Sequence, residues 1–355
     1  MLPPSRAQAG DAPIRSTDND AAVARLSAVQ KQYLEDPFIK YLVPRAHLQP
    51  PRPPLINIGT YVRSSAIDVL VDQWLELSAV SGQRCQIVSL GSGSDTRFWR
   101  IAARRAGPLK QHMQTYVEID FPEITTKKAM AIRKRKDLMA GLGDPNGVLL
   151  AQGGTALHSP QYYLLPGDLR QPPSELLEPM LFSPRENGRA AILDPSLPTL
   201  LLFECVLVYM SPSSSSRLLE WFVQIHKRAR TGALGCIVYE MFGLNDAFGR
   251  VMINNLRERQ IYLPGAEPYP TSESLLDRFL KTGFSAARAL TLKEIRKSYI
   301  PSEELERTSK LEFLDETEEL DLVLAHYAIS WGLLLGNSDM NATWGQWGLK
   351  QQREV

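Results

Sequence analysis

Three cysteines in 355 residues are too few and too far apart to build anything on sulfur. Cys85, Cys205 and Cys236 fit no C-x-x-C spacing, which argues against a disulfide framework or a metal knuckle and for inert thiols in a reducing compartment. The five histidines are scattered without metal-ligand spacing, so no metal is expected. An excess of one charge is also missing. A net charge of +1 creates no global field to recruit nucleic acid or an anionic membrane. The most apolar run, PTLLLFECVLVYM, is too short to span a bilayer and carries Glu204 in its middle. The N-terminus has neither the apolar stretch of a secretory signal nor the basic amphipathic pattern of a transit peptide. A soluble, cytoplasmic, monomeric protein is the expectation.

What is present begins with an apolar fraction of 44%, enough for a sizeable core. Residues 1–17 are small, Pro-rich and aperiodic, and read as a disordered tail. Asp18 or Asp20 can cap a helix to about Tyr33, with Val23, Leu26, Val29 and Tyr33 on one face. PRAHLQPPRPPL (44–55) can be neither regular helix nor inner strand, and a second helix is predicted from about Tyr61 to Leu77. Strands and helices then alternate. CQIVSL, TYVEID, YYLLPGD, TLLLFEC and ALGCIVYE each precede a helical segment, and five such units predict a parallel sheet covered on both faces. FSAARAL and HYAISWGLLL, separated by a polar helical region at 291–325, predict an antiparallel final hairpin. Residues 137–160 and 183–197 read as surface loops. The organisation expected is a tail (1–17), one domain (18–337, with helices over 18–80 and the α/β core over 81–337) and a C-terminal tail (338–355).

In an open parallel sheet, ligands bind beyond the carboxyl ends of the strands, where strand order reverses. Those ends carry Gly91-Ser92-Gly93, Asp120, Asp168 and Glu204. The dinucleotide fingerprint wants a third glycine where Thr96 stands, and a diphosphate is repelled by a rim of carboxylates. A cationic, phosphate-free nucleoside fits better, and S-adenosylmethionine is one. Asp120 can accept from both ribose hydroxyls and Asp168 from the adenine amino group, while the Leu169 N–H can reach a ring nitrogen. The turn at Gly91 and Gly93 lets the backbone approach the methionine portion. Each feature alone has a bland explanation, such as a turn or a helix cap. Glu204 does not, because a carboxylate inside an apolar run must be paired or face a cleft.

The sequence resembles the leucine carboxyl methyltransferase family. The stretches that carry the likeness are RLSAVQKQYLEDPFI, INIGTYVR, IVSLGSGSDTRFWR, VEIDFPEITTKK, LLPGDLR, LPTLLLFECVLVYMSP, FGRVMINNLRERQ and LEFLDETEELDLVLAHYAISW, in order from about residue 18 to 335. The resemblance implies an α/β, Rossmann-like, seven-stranded S-adenosylmethionine-dependent methyltransferase fold with an N-terminal helical lid and an antiparallel final strand. It implies cofactor contacts from Gly91, Asp120, Asp168, Leu169 and Glu204, with Arg25 on the methionine carboxylate and Arg63 near cofactor and substrate carboxylates. The implied reaction esterifies the C-terminal leucine of the protein phosphatase 2A catalytic subunit, leaving S-adenosylhomocysteine. An anionic nucleophile needs no general base, only a cation to replace its water, so Arg63 is the candidate clamp and Tyr209 a candidate hydroxyl donor. A branch of the family acting on tRNA in wybutosine synthesis is the alternative, but it carries a repeat-rich propeller and no repeat is visible here. A non-catalytic S-adenosylmethionine-binding scaffold and a small-molecule methyltransferase are the others.

Overall fold

The computed structural model describes residues 10–104, 112–185, 190–229, 232–315 and 317–352. Its first helix, α1 (Ala12–Gln30), begins inside the stretch expected to be disordered. Pro13 lies in the first turn, where a missing N–H costs nothing, so a residue that suggested disorder opens the helix instead. Residues 1–9 of the expected tail lie outside the described residues. Asp18 and Asp20, expected as caps, therefore sit inside α1. The proline-rich stretch holds only a short turn at Ala46–Leu48 before α2 (Pro54–Val80), which starts earlier than expected because Pro54 again occupies a first turn.

The alternation then follows: β1 (Cys85–Leu90), α3 (Arg97–Ala103), β2 (Met113–Asp120) and α4 (Pro122–Lys134). The region expected to be a loop at 137–160 contains β3 (Leu149–Ala151) and β4 (Ala156–His158), paired antiparallel to each other, with β4 antiparallel to β5 (Tyr162–Pro166). Three residues between glycines are too few for an alternating pattern to register. Next come α5 (Pro173–Leu181), β6 (Thr199–Glu204), α6 (Pro212–Ala229), β7 (Leu234–Met241) and α7 (Ala247–Glu258). The chain continues through α8 (Ser272–Thr282), β8 (Ala286–Thr291), α9 (Leu292–Ser298), α10 (Ser302–Ser309), α11 (Thr317–Ala325) and β9 (Tyr327–Leu334).

Among the described residues the strands form one sheet in the order β3-β4-β5-β2-β1-β6-β7-β9-β8, nine strands where seven were expected. The surplus is the β3–β4 pair at one edge. Strands β5, β2, β1, β6 and β7 are parallel, and β9 runs antiparallel to both β7 and β8, as the final hairpin required.

Alternation along each inner strand feeds two cores. On one face Ile87, Leu200, Leu202 and Ile237 pack with Trp74 of α2, Ala129 and Ile132 of α4, and Leu324 of α11. On the other, Val88, Leu90, Leu201 and Phe203 pack with Leu177 of α5, Phe222 of α6 and Phe279 of α8. A parallel sheet buried on both faces reads as unbroken apolar runs, which is why these strands stood out in the sequence. From the second expected loop, Ile192 and Leu193 join the latter core, while residues 186–189 lie outside the described residues. The expected C-terminal tail also packs. Trp344 and Trp347 lie against Trp74, with ring centroids 4.5 and 5.0 Å away, and the Trp347 indole N–H donates to the Leu70 carbonyl at 2.9 Å.

Candidate functional site

Strand β1 lies between β2 and β6, so the chain leaves the sheet in opposite directions on its two sides and opens a crevice at the carboxyl edge. A cavity of about 360 Å³ fills that crevice. Arg25, Arg63, Gly91, Gly93, Asp120, Asp168, Leu169, Glu204 and Tyr209 all line it, so every residue singled out from the sequence arrives in one place.

The glycine turn sets the floor. Gly91 has φ of +69° and its N–H donates to the Ile119 carbonyl at 2.7 Å. A Cβ there would lie 2.5 Å from a methyl of Val206. Gly93, at φ +49°, donates its N–H to Asp120 Oδ2 at 2.7 Å, and Phe121 N–H donates to Asp120 Oδ1 at 2.7 Å. Burial pushes the Asp120 carboxyl up to about 6, against the pull of those two amides and with help from the neighbouring Asp18 charge.

Helix α1 forms the roof. Ile14, Thr17, Asp18, Ala21, Ala22 and Arg25 line the cavity at helical spacing. Asp18 reaches down and accepts the Ser94 N–H at 2.7 Å. The helix is tied at its start by Arg170, which donates to Asp11 at 2.8 and 2.7 Å and to Asp168 at 2.8 and 2.7 Å. Asp168 thus faces the cavity while already accepting from Arg170.

Arg25 is buried. Its Nε donates to Asp36 at 2.5 Å and its Nη1 to Ser64 at 3.1 Å, leaving Nη2 without a partner. Burial lowers its affinity for a proton, as does the nearby Arg100, and Asp36 opposes them. Arg63, in mid-α2, lies over the Tyr239 ring at 5.2 Å, with its Nε 3.7 Å from Glu204 and no hydrogen bond. Burial works against the Arg63 charge, but Glu204, Tyr239 and Cys205 together outweigh it and the guanidinium is held charged. Glu204 is both paired and cavity-facing, as an acid in an apolar strand must be. Tyr209 sits in a short turn, Leu207–Tyr209, where burial and then the neighbouring Cys205 push its phenol up, so it stays protonated.

The sequence reading missed Arg97. Its side chain, only 3% exposed, donates to Asp95 at 2.8 Å, Asp68 at 3.0 Å and Glu204 at 2.9 Å. It also missed that Asp18 belongs to the site rather than to a helix cap. The available signal for Arg97 was its position between a glycine turn and two aromatics, where a charge is either exposed or heavily paired.

The lining suits the cofactor inferred from the sequence. Buried Arg25 Nη2, Arg63 Nε and Ser92 Oγ lack partners and all belong to cavity residues, so donors await an anionic group. The glycine turn is a cradle that side chains would fill. Carboxylates at Asp120, Asp168 and Glu204 supply acceptors for hydroxyls, an amino group and a cation.

The family model for leucine carboxyl methyltransferase matches residues 14–223, the segment that contributes every one of the anticipated site residues. The chain is 43% identical to leucine carboxyl methyltransferase 1 of Cryptococcus neoformans, over 94% of this chain and 97% of that protein. It is 34% identical to the Bos taurus protein of the same name, over 90% of each. A solved structure of human N-acetylserotonin methyltransferase overlays loosely, with TM-score 0.33 and 13% identity, over 89% of this chain and 67% of that one. Near-complete alignment with the proteins of two such distant organisms leaves a plain conclusion: this chain belongs to the leucine carboxyl methyltransferase family.

Proposed function

We propose that the protein transfers a methyl group from S-adenosylmethionine to the C-terminal leucine carboxylate of the protein phosphatase 2A catalytic subunit, in the cytoplasm. The observation that supports this most is Arg63: a charged guanidinium with an unsatisfied Nε, in the same cavity as the glycine turn and Asp120.

When bound, S-adenosylmethionine supplies an electrophilic methyl carbon on a positively charged sulfur. A peptide α-carboxyl ionises near about 3.3–3.7, so the nucleophile is already an anion and no protein base is required. The donor would supply its methyl carbon to one carboxylate oxygen, the carbon–sulfur electron pair staying with sulfur, so the chain would have no proton to move. The chain must strip water from that carboxylate and aim it. Arg63 replaces the lost water with a fixed, permanently charged fork, and Tyr209, kept protonated, offers a hydroxyl. Holding the reactants in line contributes on the order of 7–11 kcal/mol in well-oriented systems.

At the donor end, Asp120 would accept from the ribose, Asp168 and the Leu169 N–H would address the adenine, and Gly91 and Gly93 would admit the methionine backbone. The unpartnered Nη2 of Arg25 would serve the methionine carboxylate. Glu204, anchored by Arg97, would place negative charge beside the cationic centre.

The test is incubation with tritiated S-adenosylmethionine and phosphatase catalytic subunit, with and without its last leucine. Base-labile label that requires the leucine is the expected result; label on tRNA, or none with either substrate, refutes the assignment. Arg63→Met should lower kcat/KM at least a hundredfold while the thermal midpoint stays close to wild type.

A further inference from the structure

A second buried charge cluster lies directly beneath the glycine turn and reaches the cavity only through other residues. Glu118, on β2 two residues before Asp120, is fully buried. Its Oε2 accepts from the Tyr162 hydroxyl at 2.8 Å and pairs with Lys128 Nζ at 2.5 Å, while Oε1 has no partner. Lys128, on α4, is itself 4% exposed and passes over the Trp99 ring at 5.7 Å. Its ammonium donates a second hydrogen bond, to the Asp95 backbone carbonyl, at 2.7 Å.

Asp95 closes the turn that begins at Gly91. Its N–H donates to Ser92 O at 3.0 Å, and its carboxylate holds Arg97, which holds Glu204. Lys128 therefore joins α4 and β2 to the carbonyl side of this turn. A buried ion pair does not by itself favour stability, because an apolar pair of similar volume packs at least as well. Its distinctive capacity is to direct hydrogen bonds, and an ammonium can serve two acceptors on different elements at once.

We infer that Lys128, neutralised by Glu118, is a positioning residue for the methyl-donor site: it fixes the Asp95 carbonyl, and through Asp95 and Arg97 it sets both the glycine turn and Glu204. The assignment rests on the methyl-donor reading of the cavity. Lys128 touches neither donor nor substrate and moves no proton.

The test compares Lys128→Met, the double variant Glu118→Gln with Lys128→Met, and Lys128→Arg. The double variant leaves no lone buried charge and so keeps the question answerable if the single one does not fold. S-adenosylhomocysteine affinity is read by calorimetry, KM for the donor against kcat by turnover, and amide exchange of residues 92–95 in the ligand-free protein. The expected result for the double variant is an affinity loss of roughly tenfold, the scale of one hydrogen bond to a charged group, with KM for the donor raised, faster exchange in the turn and a near-native melting temperature. Lys128→Arg should recover most of the affinity. Unchanged affinity and exchange in the double variant would overturn the proposal, and so would loss of folding in both Met variants, which would make the pair structural. The exchange measurement needs no donor, so it separates this result from a failure of the methyl-donor reading, which wild-type calorimetry reports by itself.

Discussion

Arg97, at the start of α3, donates through Nη2 to Glu204, at the end of β6, at 2.9 Å. The same fork reaches Asp95 through Nη1 and Asp68 of α2 through Nε. Burial opposes the Arg97 charge, but Asp95, Glu204 and Asp68 outweigh it and hold the group well above its ordinary range. Asp68 answers in kind: burial would raise its carboxyl, yet Arg100 and Arg97 hold it below the usual carboxylate values. One planar cation thus fixes the relative places of α2, the glycine turn and β6.

Replacing Arg97 should be costly in a way that replacing a surface arginine is not. Arg97→Met takes a partner from three partly buried carboxylates, of which Asp68 keeps Arg100 and Glu204 keeps Arg63, with an expected loss of about 3–5 kcal/mol of stability by urea unfolding. Arg97→Lys keeps the charge but cannot reach three acids from one plane. It should recover stability only in part and leave donor affinity low by calorimetry.

Gly93→Ala introduces two separate penalties. The positive φ disfavours any Cβ by about 1–2 kcal/mol, and that Cβ would lie 2.6 Å from Asp18 Oδ1. Donor affinity should fall, and adding Asp18→Ala should relieve the contact while leaving the backbone cost. A double variant no better than Gly93→Ala would mean that the lid contact is immaterial.

Donor affinity should depend on pH through Asp120. Its folded pKa of about 6 lies above the ordinary 3.8, because burial disfavours the charged form. Between those values the folded state binds the proton and the unfolded chain does not. Asp120 thus favours folding fully below about 3.8, and that contribution declines as pH rises through about 6. Binding runs the other way, since accepting from two hydroxyls wants the carboxylate. S-adenosylhomocysteine affinity should rise as pH climbs through about 6, and Asp120→Asn should flatten that rise.

Trp344→Ala tests whether the C-terminal segment is part of the core. Trp344 is 1% exposed and packs at a tilt against Trp74. The expected loss is about 3–5 kcal/mol in denaturant unfolding. An unchanged midpoint would return the segment to the status of a tail.

The elements most legible in the sequence were those whose physics is local. Inner parallel strands are buried on both sides and show as apolar runs, so β1, β2, β5, β6 and β7 and the residues ending them could be named in advance. Glu204 stood out because an acid within such a run demands an explanation. The glycine turn stood out because positive φ at two positions leaves few residue choices. The edge strands β3 and β4 and the two tails did not, since short strands, first-turn prolines and isolated tryptophans take their meaning from neighbours far along the chain.

By itself the sequence determined where the strands end and which side chains stand there, because burial and backbone freedom select residue types position by position. Only the tertiary structure decided which charges compensate one another. Arg97 meets Asp68 across 29 positions and Glu204 across 107, and Arg170 meets Asp11 across 159. A buried charge is stable only where its counter-ion is delivered within a few ångströms, and that delivery depends on how helices and strands stack rather than on any residue's own propensity.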